Sequence, residues 1–248
     1  MDGTFYLGNR LLPGALEFIR NITQRGQDYV FLTNNSSRSR YEYVQKMMDL
    51  GLRVNPERIF TSGEASARYL RVHSPDASVF VVGTPTLEVE FKEYGFHISE
   101  SEPDWVILGF DTTLTYRKLW KLCNLIREGV PFLATHPDIN CPAPGGDMPD
   151  IGATIAYVYA STGRKPDVIV GKPNQLMIEM LSEKTGYPQH AMTMVGDRLY
   201  TDIALGTTTK VKTVLVLSGE TRQEDISASP YKPDFIFADL ADFNSQLS

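Results

Sequence analysis

Four short polar clusters hold the residues of this sequence best suited to chemistry. They are Asp2-Gly3-Thr4, Thr33-Asn34-Asn35, Gly171-Lys172-Pro173, and Gly196-Asp197 with Asp202 five residues further on. The last three close the apolar runs "YVFLT", "DVIVG" and "AMTMVGD", whereas almost nothing apolar precedes the first. Past a strand end, the Thr33 hydroxyl and the exposed backbone N–H groups beside it are suited to hold a phosphate. Taken singly, each cluster has a plainer reading. Asp2-Gly3-Thr4 is a turn with a helix-capping threonine, Lys172 a solvated surface lysine, and Thr33-Asn34 a strand-to-helix cap with Ser36 or Ser37 at the N-cap. Their succession on consecutive units favours a site, because ligands of open α/β sheets bind at the carboxyl ends of the strands.

Those clusters need strands and helices to position them, and the sequence supplies both in alternation. Short runs rich in β-branched residues at 29–33, 78–83, 104–109, 131–135, 167–171, 191–197 and 213–219 read as strands buried on both faces. Helical patterns occupy 14–26, 39–51, 64–73, 115–129 and 174–186. In the first, Leu16, Ile19 and Ile22 recur at helical spacing and Gly26 is a stop signal. A final strand at 234–238 precedes a short terminal helix. This alternation predicts an α/β fold with a doubly wound parallel sheet. The stretch 135–153, with four prolines and three glycines, reads as a long functional or disordered loop.

The 248 residues, 42% hydrophobic and 22% charged, have the composition of an ordinary soluble globular protein of one large or two smaller domains. A net charge of −6 argues against a nucleic acid polymer as partner, but not against a small anion, since a metal ion can supply local positive charge. No run approaches membrane-spanning length and no signal peptide is visible. Cys123 and Cys141, without metal-ligand spacing, read as reduced thiols of a cytoplasmic protein.

The ordered motifs resemble those of the haloacid dehalogenase superfamily, in its NagD-like branch of small-molecule phosphatases that includes p-nitrophenyl phosphatases. "DGT" resembles the end of the family's Asp-x-Asp-Gly-Thr motif, "TNN" the second motif, "GKP" the lysine motif and "GDRLYTDI" the acidic motif; "ATHPD" and "PDIGA" resemble cap segments. The resemblance spans essentially the whole chain. It implies a Rossmann-like core at 1–76 and 166–248 and an inserted α/β cap at 77–165. It implies Mg²⁺-dependent hydrolysis of a small phosphorylated metabolite through an aspartyl-phosphate. Asp2 takes the acid/base position, with its backbone carbonyl and the Asp197 carboxylate as metal ligands. Lys172, Thr33 and the Asn34 N–H stabilise the phosphoryl charge, Asn35 lies with them on the substrate, and Asp202 orients Lys172 or a metal-bound water. The branch also implies dimer contacts through the cap.

One departure is fundamental. Counting back from Asp2, Met1 fills the motif's variable position, so the nucleophile falls one residue earlier, together with the apolar strand that leads to it. The polypeptide as written is therefore expected to be inactive, either as a truncated version or as a relic that binds phosphate without turnover. A non-catalytic phosphate-binding or regulatory protein is the alternative function, and a phosphotransferase a third. His136 stands where the family more often has Asn and is a candidate for substrate contact, with a structural histidine as the other reading; Asp138, Asp147 and Arg38 are further candidates for substrate contact. Asp111-Thr112-Thr113 mimics a phosphatase turn but lacks a second aspartate, and Thr115 is a good N-cap for the next helix. The Leu119, Leu122, Leu125, Ile126 stripe is core.

Overall fold

The computed structural model describes residues 1–143 and 145–247. The first half of the chain runs β1 (Tyr6–Leu7), β2 (Arg10–Leu11), α1 (Ala15–Gln24), β3 (Phe31–Thr33), α2 (Arg40–Asp49), β4 (Ile59–Thr61), α3 (Ser62–His73), β5 (Ser78–Val82), α4 (Pro85–Glu93), β6 (His97–Ile98), β7 (Trp105–Leu108) and α5 (Tyr116–Arg127). The second half runs β8 (Phe132–Ala134), β9 (Asn140–Cys141), β10 (Met148–Pro149), α6 (Ile151–Thr162), β11 (Val168–Ile169), α7 (Leu176–Thr185), β12 (Thr193–Gly196), α8 (Leu205–Thr208), β13 (Lys212–Val216), α9 (Asp225–Ala228), β14 (Phe235–Phe237) and α10 (Leu240–Ser245).

Two compact units share these elements. Unit 1 comprises Met1–Leu32, Tyr43–Ile59 and Lys172–Ser248; unit 2 comprises Thr33–Glu42 and Phe60–Gly171. This partition changes hands at 32/33, 42/43, 59/60 and 171/172.

In unit 1, β12, β13 and β14 form a parallel sheet in that order, with Gly196 opposite Leu215 and Val216 opposite Phe237. Helix α1 buries Ala15, Phe18, Ile19 and Ile22, while Leu16 of the expected stripe is half-buried, and Gly26 follows its end with φ +73°. These side chains pack with Phe5, Tyr6, Phe31, Met47, Ile59, Val216 and Leu240. Strand β3 pairs with β4 in a separate two-stranded sheet.

Unit 2 is built on five parallel strands in the order β11-β8-β7-β5-β6. Val82, Leu108 and Ala134 lie side by side across it, and helix α5 covers it with Leu122, Leu125 and Ile126 buried and Leu119 half-buried. The helix starts as expected, with the Thr115 hydroxyl accepting the Lys118 N–H at 3.2 Å.

Three local expectations change. The stretch 135–153 contains the β9–β10 hairpin and the start of α6, which the Asp150 carboxylate caps by accepting the Ile151 N–H; Pro144 lies outside the described residues. The cap of α2 is Ser39, not Ser36 or Ser37: Ser39 Oγ accepts the Glu42 N–H and Glu42 Oε2 accepts the Ser39 N–H, a reciprocal capping box. Helix α4 has no marked apolar stripe but opens on Thr84-Pro85, with proline at the first helical position. Among the described residues no helix is long and apolar enough to cross a membrane.

Candidate active site

Unit 1 gathers Thr4, Lys172, Asp197 and Asp202 from distant parts of the chain. The Lys172 Nζ donates to Asp202 Oδ1 at 2.6 Å, and both side chains are buried. The Arg198 N–H donates to the other oxygen at 3.2 Å. A single wide helical turn, Leu199–Ile203, brings Asp202 back over Gly196, so closely that a Cβ at Gly196 would lie 2.3 Å from that of Asp202. Burial alone would raise the Asp202 carboxyl, but the Lys172 ammonium beside it holds the carboxyl below its ordinary range.

Asp197, at the end of β12, is held on both oxygens. Thr4 Oγ1 donates to Oδ1 at 2.8 Å and the Glu220 N–H to Oδ2 at 3.0 Å. Glycines make room for it: a Cβ at Gly3 or Gly219 would stand 2.2 or 2.1 Å from Oδ2, and Gly3 has φ +78° besides. Burial pushes the Asp197 carboxyl up, and the Asp202 charge adds to this. The Met1 amino group shares the cluster; burial and Lys172 push it down, while Asp202, Asp197 and Asp2 oppose that shift. Asp197 is thus a buried carboxylate short of positive charge, the condition that favours a bound cation or an anion-balancing lysine. Asp2 is exposed and accepts the Gly8 N–H at 3.3 Å.

In unit 2 the polar turn after β3 is braced from within. Thr33 Oγ1 accepts the Asn35 N–H at 3.2 Å, and Asn35 Oδ1 accepts both the N–H and the hydroxyl of Ser37. Buried Asn34 donates from Nδ2 to Asp138 Oδ1 at 3.0 Å, and its carbonyl accepts the Ser62 hydroxyl. Ser36 Oγ accepts the Phe110 N–H and the Thr135 hydroxyl, each at 2.9 Å. His136 is fully buried; its Nε2 lies 3.1 Å from Asp150 Oδ1, and its Nδ1 lies 3.2 Å from Thr135 Oγ1 and 3.4 Å from Ser62 Oγ. His136, Asp138 and Asp150 present ligand atoms within 4.8 Å of one another, all engaged in these bonds. Gly171 is required here too, since a Cβ would meet the Thr135 carbonyl at 2.7 Å and Asn34 Oδ1 at 2.9 Å.

Asp2, Lys172, Asp197 and Asp202 therefore lie in unit 1, and Thr33, Asn34, Asn35 and His136 in unit 2. Of the remaining candidates, Arg38 is exposed and Asp138 bonds Asn34, while Asp111 is bound into a turn with Thr113 and paired with Lys118 Nζ at 2.6 Å. Ser62, Asp150, Gly219 and the Glu220 N–H were not singled out from the sequence, and Thr4 was read as a helix cap, not as a partner of Asp197. Thr4 and Asp150 had a signal, the first within "DGT" and the second as an aspartate opening a helix; Gly219 had none.

Comparison with known proteins adds to this geometry. Residues 1–97 match the model of the haloacid dehalogenase-like hydrolases and residues 169–243 that of the HAD-hydrolase-like proteins. The 5'-nucleotidase YutF of Bacillus subtilis is 32% identical over 243 residues, covering 98% of this chain and 94% of that protein. The crystal structure of 4-nitrophenylphosphatase from Thermotoga maritima matches with a TM-score of 0.97 at 47% identity, covering 100% of this chain and 95% of the other. NagD from E. coli K-12 matches with a TM-score of 0.90 at 32% identity, covering 97% and 94%.

Proposed function

The chain belongs to the haloacid dehalogenase-like hydrolases, in the branch of NagD and the p-nitrophenyl phosphatases, and we propose that it hydrolyses small phosphate monoesters through an aspartyl-phosphate with Mg²⁺ as cation. The observation that supports this reading is the unit 1 cluster, in which a buried Lys172–Asp202 pair stands with Asp197 and Thr4. Phosphoryl transfer asks mainly for positioning and charge compensation. Lys172, fixed by Asp202, offers the ammonium to the phosphoryl oxygens. A carboxylate attacks phosphorus as the bond to the leaving oxygen breaks. Asp2 protonates that oxygen, then takes a proton from the water that opens the acyl phosphate.

The donor set fits Mg²⁺. Asp197 is a hard oxygen ligand, and the Lys172 ammonium of the same cluster is paired with Asp202. Asp197 and the Asp2 carbonyl would hold the ion, which when bound offsets charge on the phosphoryl group. In the family's motif the attacking carboxylate stands two residues before the position that Asp2 fills, and turnover requires a carboxylate there. A reducing cytoplasm suits its two cysteines, which form no disulfide.

The test compares p-nitrophenyl phosphate hydrolysis by the chain as written with that of two extended forms, an apolar strand ending in Asp and the same strand ending in Asn. Mg²⁺-dependent turnover by the Asp form alone is expected. A folded Asp form that stays inert refutes the reading, and phosphate binding without turnover would mark a binding protein instead. In the Asp form, Asp197→Asn should lower kcat at least a hundredfold and weaken Mn²⁺ binding in equilibrium dialysis; unchanged values would remove Asp197 from the metal site.

A further inference from the structure

Glu220 touches Asp197 with its backbone and the residues just after Asp197 with its side chain. Its N–H donates to Asp197 Oδ2 at 3.0 Å. Its carboxylate accepts Arg198 Nε on Oε2 and the Tyr200 hydroxyl on Oε1, each at 2.7 Å. One residue of the loop after β13 thus grips both the carboxylate that follows β12 and the turn beyond it. Two further bonds tie the same loop down: the Thr221 N–H donates to the Asp197 carbonyl at 3.2 Å, and Ser218 Oγ to the Gly3 carbonyl at 2.9 Å.

Arg198 joins this grip to the lysine pair. Its backbone N–H donates to Asp202 Oδ2 while its guanidinium holds Glu220, so one residue braces both the partner of Lys172 and the holder of Asp197. As a partly exposed ion pair, Arg198–Glu220 contributes little to stability. Its effect falls on the direction of one N–H. A carboxylate offers about four lone-pair sites; the Thr4 hydroxyl takes one on Oδ1 and the Glu220 N–H one on Oδ2. These two donors fix how the remaining lone pairs of Asp197 are aimed. Gly219 must lack a Cβ because Asp197 Oδ2 fills that space, yet a glycine leaves the backbone at Glu220 free to swing. The side-chain clasp removes that freedom.

We propose that Glu220 is a positioning residue for Asp197: clasped by Arg198 and Tyr200, it keeps its N–H on Oδ2 and leaves the other lone pairs of Asp197 aimed at a divalent cation. The cation half of this inference rests on the phosphatase reading, in which Asp197 holds Mg²⁺; the clasp itself does not. Electrostatics alone makes the opposite prediction for one variant. Arg198→Met removes a positive charge near the site, which by Coulomb attraction tightens cation binding, whereas a broken clasp weakens it.

The test measures Mn²⁺ binding by equilibrium dialysis and amide exchange at Glu220 by NMR, on the full chain and its Arg198→Met, Tyr200→Phe and Asp197→Asn variants. Arg198→Met should raise the Mn²⁺ Kd on the order of tenfold, and Tyr200→Phe, which changes no charge, about threefold. In both, exchange of the Glu220 N–H should quicken about tenfold, while the thermal midpoint moves by no more than roughly 3 °C. Should Arg198→Met fail to fold, Tyr200→Phe carries the same two measurements. Unchanged exchange at Glu220 overturns the proposal. So does Mn²⁺ binding that is unchanged or tightened in Arg198→Met while Asp197→Asn loses it. A lowered thermal midpoint with exchange and affinity intact would mark a merely structural bridge and also overturn it. If Asp197→Asn binds Mn²⁺ as the wild type does, the cation reading fails by itself, and the exchange rates alone decide the clasp.

Discussion

Glu90 on α4 should make unit 2 lose stability as the solution turns alkaline. The side chain is buried, and its Oε2 lies so near Gly63 that a Cβ there would be 2.4 Å away. Desolvation, followed by the charge of buried Glu64, pushes the Glu90 carboxyl from its ordinary 4.5 up to about 8, with Arg40 opposing and Glu93 adding. Glu64 pairs with Arg68 at 3.1 Å and accepts the Tyr94 hydroxyl at 3.0 Å. The folded state therefore binds one more proton than the unfolded state between these two values. The favourable contribution is complete below pH 4.5 and disappears as pH rises through 8. At 1.36 kcal/mol per pH unit, the loss approaches about 5 kcal/mol in full and about 3 kcal/mol between pH 5.5 and 8. Glu90→Gln keeps the shape and removes the titration. Urea unfolding of both proteins across pH 5.5–8.5 measures the difference, in which the other carboxylates cancel. The variant should gain on the wild type by about 3 kcal/mol over that interval. A difference that stays flat with pH refutes the assignment of a neutral, buried Glu90.

Lys172→Met should strand the buried Asp202 carboxylate and cost about 3–5 kcal/mol at neutral pH. In urea melts the penalty should shrink as Asp202 protonates on acidification, and Asp202→Asn in the same chain should restore part of it. Gly219→Ala should push Asp197 off its Glu220 N–H bond and destabilise by about 1–3 kcal/mol, whereas Gly145→Ala, with nothing within 4 Å of its Cβ, should leave the thermal midpoint unmoved.

The parallel strands were legible because strands covered on both faces carry uninterrupted apolar runs, as Val79–Val82 and Val106–Leu108 do. The α1 and α5 stripes were legible for the matching reason, a single buried face at helical spacing. Helix α4 was not, since Glu90 interrupts its apolar face and its one signal is the Thr84-Pro85 start. Helix α6 was hidden by a proline- and glycine-rich approach and by exposed Tyr157 and Tyr159, which blur its periodicity. Within the site, Lys172, Asp197 and Asp202 stood out as charges at strand ends. The glycines around Asp197 did not, because their role is the absence of a Cβ against a carboxylate brought from far along the chain.

That separation along the chain also sets a timetable. The Thr4–Asp197 hydrogen bond joins residues 193 positions apart. At about 5–20 residues per second of synthesis, Asp197 is made roughly 10–40 s after Thr4. The bonds that join His136 to Ser62 and Asp150 close within the continuous span Phe60–Gly171 and need nothing that is translated later. On the ribosome the unit 2 network can thus set early, while the apolar residues 15–32 and 43–59 wait for their partners beyond Lys172. Asp197 comes among the last pieces, and the nascent chain carries no assembled cluster of Thr4, Lys172, Asp197 and Asp202 until translation is nearly done.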